Sequence, residues 1–139
     1  MVESSSGDIA PDITLKRLGR LRRVLLHLHK ALLGTERAAY EQVHGRVSSG
    51  ELLQLVINHE QFAWLHSVSE LIVRIDEMLD ADEPLRTSEA ESLLTQARAL
   101  LKPSETGSEF ERRYYAAIQR DPEVVFAQRE MMRILTSYV

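Results

Sequence analysis

Histidines and carboxylates carry most of the chemistry available to this chain of 139 residues, because it holds five histidines and no cysteine. Thiolate zinc sites, disulfides and thiol catalysis are thereby excluded. Glu41-Gln42-Val43-His44 spells Glu-x-x-His, half of the ligand pattern of di-iron helical bundles. A complete site needs a second copy of the motif and two further inward glutamates. The chain has no second copy, only a symmetric dimer could supply one, and the helix ends right after His44, so no metal and no cofactor is expected. A second constellation is His59, Phe62, Ala63, His66 and Glu70, which share one face if a single helix runs through them. His59 and His66 then stand about 10 Å apart along the axis, too far to share a metal. Phe62, Trp64, His66 and Glu70 form the candidate ligand-binding pocket, built around the single tryptophan. The plainer alternative is a surface ladder from His66 through Glu70 to Arg74, worth a few tenths of a kcal/mol per step. His27 is expected in solvent beside Arg20, Arg23 and Lys30, and His29 at a boundary between Leu25 and Leu32.

Nucleophilic catalysis has no support. There is no Gly-x-Ser-x-Gly, no phosphate-binding glycine loop and no His-Glu-x-x-His. No Asp or Glu sits in apolar sequence where burial would raise its pKa. Arg112-Arg113-Tyr114-Tyr115 reads as an amphipathic helix with buried rings and wetted hydroxyls. No catalytic residue is expected.

The elements that position these residues are helical. Leu18, Leu21, Leu25, Leu28 and Leu32 recur at the 3-4 spacing of one helix face, and Leu65, Val68, Ile72, Ile75 and Leu79 repeat it. The first stripe predicts a helix from Ile13 to His44, ended by Gly45. Within it, Gly34 predicts either a close backbone approach or a bend. Ser48 and Glu51 read as a capping box opening a second long helix to Asp80. Its turn Leu52, Leu53, Leu55, Val56, Ile57 is apolar nearly all round, and is expected to be deeply buried. Asn58 is the one place where that helix could break and restart, with Gln61 at the matching third position.

Beyond Pro84, a Ser88–Glu91 capping box predicts a third helix that buries Leu93, Leu94, Ala97, Leu100 and Leu101. A fourth, Glu109 to Gln119, is expected to bury Phe110, Tyr114, Ala117 and Ile118. A fifth starts at Asp121-Pro122 and runs to Ser137, burying Val125, Met132 and Leu135. The fold class is all-α: a bundle of four to five helices, two long and antiparallel, with shorter C-terminal ones. Residues 1–12 are expected to form a disordered N-terminal arm, and 13–139 a single bundle domain.

Net charge is −4, unevenly spread. Between residues 16 and 46 eight Lys and Arg outnumber Glu36 and Glu41, giving +6 and leaving −10 elsewhere. Such polarity fits cations facing an acidic neighbour. It fits nucleic acid less well, since no stacking aromatics interleave and the chain is acidic overall. No apolar run approaches the ~20 residues of a membrane span, and the first residues carry no secretion signal. A cytoplasmic protein without membrane contact is expected.

Residues 21–33 (LRRVLLHLHKALL), 62–77 (FAWLHSVSELIVRIDE) and 109–115 (EFERRYY) together resemble a family of small uncharacterised all-helical bacterial proteins. The resemblance covers most of residues 15–135 and implies no activity, cofactor or site residue. The first functional reading is a non-enzymatic helical interaction module that homodimerises and binds another protein. The alternative is a small-molecule or metal-binding protein using the Phe62, Trp64, His66 and Glu70 pocket. A third is nucleic-acid binding through the basic first helix.

Overall fold

The computed structural model describes residues 8–136. The arm expected over residues 1–12 falls largely outside them. Residues 8–11 are nonetheless fixed: Ile9 pairs with Arg86 as an isolated antiparallel bridge, and the Ala10 amide donates to the Leu85 carbonyl at 2.8 Å. Six α-helices and one 3-10 segment follow. They are α1 (Asp12–His44), α2 (Ser49–Asn58), the 3-10 segment (Glu60–Leu65), α3 (His66–Asp80), α4 (Thr87–Leu100), α5 (Glu109–Arg120) and α6 (Pro122–Leu135). No helix among the described residues is long and apolar enough to cross a membrane.

Helix α1 is the spine. Its five-leucine stripe is wholly buried, as the 3-4 spacing requires. Helix α6 packs most extensively along one flank of α1, and α3 along another. Two interactions fix the rotation of α6. Thr35 donates to the Asp121 carboxylate at 2.8 Å, and the Arg17 guanidinium donates to the Ile134 carbonyl at 2.8 and 3.0 Å. Arg98 from α4 donates to the Leu135 carbonyl at 3.0 Å. Two cations thus satisfy the last carbonyls of α6, which have no intrahelical partner.

That anchoring explains a shift of register. The α6 core residues are Val124, Ala127, Met131, Ile134 and Leu135, whereas Val125 and Met132 lie half-buried beside it. Paired apolar residues at 124–125 and 131–132 offer two overlapping stripes. The Thr35–Asp121 bond and the Arg17 bonds to Ile134 select the one that turns Val124, Ala127, Met131 and Ile134 inward. In α5, Tyr114 and Ala117 are buried, while Phe110 and Ile118 pack at the margin. Leu79 and Leu100 are likewise marginal. Helix α4 begins at Thr87, with the Glu89 carboxylate accepting from the Arg86 amide at 3.0 Å, so Ser88–Glu91 is not its cap.

The second long helix does not exist as one piece. His59 adopts an extended conformation after α2, and its ring nitrogen Nδ1 accepts from the Gln61 amide at 3.1 Å. The histidine, not Asn58, makes the restart. The polypeptide therefore forms one long helix crossed by short ones, and the face shared by His59, Phe62, Ala63, His66 and Glu70 is broken.

Of the two readings of Gly34, the close backbone approach is absent. A methyl group added there would meet nothing within 4 Å, so no neighbouring backbone requires the glycine. Gly34→Ala is expected to stabilise the fold by about 0.4–1 kcal/mol, mainly through the unfolded chain. A lowered melting temperature would show that the site is not open. Gly45 differs, because its φ of 86° is a conformation that side chains resist, and it ends α1 as expected.

Candidate functional site

The four residues of the predicted pocket separate into two environments. Phe62 and Trp64, on the 3-10 segment, belong to the core. The Phe62 ring lies 6.2 Å from Tyr40, and the Trp64 ring 5.3 Å edge-on to Phe110. His66 and Glu70, on α3, are exposed and line an open surface hollow with Ser69, Val73, Arg74 and Glu77. The structure therefore brings Phe62 and Trp64 into the core and leaves His66 and Glu70 outside it. No ion pair among the described residues joins His66, Glu70 and Arg74. Instead the His66 Nε2 donates to the Val56 carbonyl at 2.9 Å, and Arg74 reaches Gln96 at 2.6 Å.

The acid that the sequence reading missed is Glu36, only 6% exposed. It stands one helical turn after Leu32, on the continuation of the leucine stripe. Its carboxylate accepts from the Trp64 indole at 3.1 Å and from the Gln61 side-chain amide at 3.0 Å. The 3-10 segment thus presents two donors to one buried acid, and Glu36 locks that segment onto α1. The signal was the register alone: Leu18, Leu21, Leu25, Leu28, Leu32, then Glu36.

Beyond Glu36 the stripe continues through Tyr40 to Val43, and there it leaves the bundle. Val43 is 78% exposed. Helix α6 begins opposite Thr35, so only the 3-10 segment and α2 remain to cover this end of α1. Helix α2 covers little. Half of its ten residues are Leu, Val or Ile, yet none of the ten is buried. Leu52, Leu55 and Val56 rest half-buried against the core, while Leu53 and Ile57, one turn apart, are 57% and 56% exposed. The expectation of a deeply buried turn at 52–57 fails because no element of the described chain arrives over its outer face.

Polar bonds fix the start of α2. Ser48 and Glu51 form the predicted capping box, with bonds of 3.1 and 2.8 Å. The Val47 amide donates to Glu41 at 2.9 Å, and Arg37 donates to the Val47 carbonyl at 2.8 Å. Glu41 is thus engaged in the α1–α2 link, and His44 stacks on Tyr40 at 4.1 Å between ring centres. No cluster of three or more potential metal-ligating side chains occurs among the described residues.

These contacts give the chain an acid dependence. Backbone donors, Val47 for Glu41 and Ser48 for Glu51, hold both carboxyls below the ordinary glutamate value. Burial, and then the charge of His66, push His29 below the usual histidine value. All three bind protons less readily in the folded state than in the unfolded one. Their contribution is present at neutral pH and lost on acidification. Stability is expected to fall first below about pH 6.5, as His29 is forced to charge, and again below about pH 4.3 as Glu41 and Glu51 protonate. His29→Gln should flatten the first limb in denaturant melts taken across this range. An unchanged slope there would remove His29 from the explanation.

Comparison with protein-family models, curated proteins and solved structures finds no match to this chain.

Proposed function

We propose that this protein is a non-enzymatic helical interaction module that pairs with a second copy of itself through α2. The observation that carries this reading is the outer face of α2. An isolated helix of fewer than ~12–15 residues is marginal in water, and normally depends on burying an apolar face. Helix α2 has ten residues, of which Leu52, Leu55 and Val56 are only half-buried against the core and none is fully buried. A second α2 related by a twofold axis would set Leu53 and Ile57 against their own copies. The helix carries one charged residue, Glu51 in its first turn, so this pairing desolvates no charge at the Leu53–Ile57 seam. Val43, projecting from the same end of the molecule, would extend the covered area.

Light scattering tests this. A mass of twice 15.9 kDa is expected at micromolar concentration, and a monomer for the double variant Leu53→Glu with Ile57→Glu. Both side chains are exposed, so the variant should keep the helical circular dichroism of the parent. A parent chain that remains monomeric at high concentration would refute self-pairing.

A further inference from the structure

The basic residues of α1 form a second surface. Lys16, Arg20, Arg23, His27 and Lys30 recur at 4-3-4-3 spacing, opposite the buried leucines, and all five are exposed. They make one row about 21 Å long. Helix α6 occupies one flank of α1 through the Arg17 and Thr35 bonds, and α3 the other through the Arg22–Asp76 pair. The outer crest between these flanks is left open. No carboxylate among the described residues pairs with Lys16, Arg20, Arg23 or Lys30; only His27 meets one, Glu123 at 3.3 Å. Leu26 adjoins His27 on α1, Val73 stands one turn before Asp76, the partner of Arg22, and Phe126 one turn after Glu123, the partner of His27; each is about half exposed.

We propose that this crest docks an acidic amphipathic helix of another protein. The row repeats along one face of a straight helix, so a partner helix with carboxylates at the same spacing can meet the cations in register. Its adjacent apolar row would cover Leu26 and Val73 on one side or Phe126 on the other. A nucleic-acid duplex fits less well. Its phosphate backbone offers Leu26, Val73 and Phe126 no apolar contact, whereas Glu123, which meets His27 within the row, repels a duplex and an acidic helix alike. The crest lies in the first two-thirds of α1, away from α2, so it stays available in a dimer formed through α2.

The probe is a fluorescent synthetic helix of about 20 residues, with glutamates at 4-3-4-3 spacing and leucines in the neighbouring row. Saturable binding in the micromolar range is expected, weakened at least tenfold by Arg20→Glu with Arg23→Glu and several-fold by Val73→Ser with Phe126→Ser. These positions are exposed, and circular dichroism checks that the variants fold. The Leu53→Glu, Ile57→Glu chain should bind the peptide as the parent does, which separates this surface from self-pairing. Equal binding of a scrambled peptide of the same composition would reduce the effect to bulk charge and overturn the proposal. So would tighter binding of a random DNA duplex, or no saturable binding of the helix.

Discussion

Replacing Leu25 with alanine is expected to cost about 2–5 kcal/mol of folding stability, and Ile72→Ala a similar amount. Leu25 lies at the centre of the α1 stripe and is fully buried, as are Leu21 and Leu28 on either side. The lost side chain forfeits its transfer energy, and the helices around it cannot collapse to fill the cavity. Ile72 stands in the middle of the α3 stripe, on the helix that packs along α1. A loss below about 1 kcal/mol in denaturant melts for either residue would mean that the α1–α3 seam is not the core.

Trp64 should show two separable effects. Trp64→Ala is expected to cost about 3–5 kcal/mol through lost packing against Phe110 and the core. Trp64→Phe keeps most of that packing and removes only the indole donor to Glu36. It is expected to cost about 1–3 kcal/mol, because a buried carboxylate oxygen loses its partner. Combining Trp64→Phe with Glu36→Leu should recover part of that loss, since no unpaired acceptor is then left inside. If the double variant is as unstable as the sum of the two single ones, the bond is not what Glu36 contributes.

The α1 stripe was legible because a 3-4 spacing over five leucines admits one geometry; at Asn58 the sequence left a continuous and a broken helix both open, and the side-chain bond from His59 to the Gln61 amide decides for the break. The Ser48–Glu51 and Asp121-Pro122 starts were legible as local chemistry. Helix α6 was harder. Val124-Val125 and Met131-Met132 support two registers, and the choice rests on long-range bonds from Thr35 and Arg17 that no local pattern encodes. Glu36 was discounted as a charge, although its position in the stripe placed it inside. The Leu52–Ile57 turn was misplaced for a different reason. Apolar composition states that a surface needs covering, and says nothing of whether the cover belongs to the same chain. The pocket of Phe62, Trp64, His66 and Glu70 assumed a continuous helix, and the extended residue at His59 removes that assumption.

Covering of α2 by a second copy is tested most directly by amide hydrogen exchange across residues 49–58 as a function of protein concentration. The leucine stripe of α1, residues 18–32, serves as an internal reference. Protection of α2 should rise with concentration and be lost in the Leu53→Glu, Ile57→Glu variant, while the α1 reference stays constant in both. Protection of α2 that is the same at every concentration, and the same in the variant, would contradict pairing through this helix.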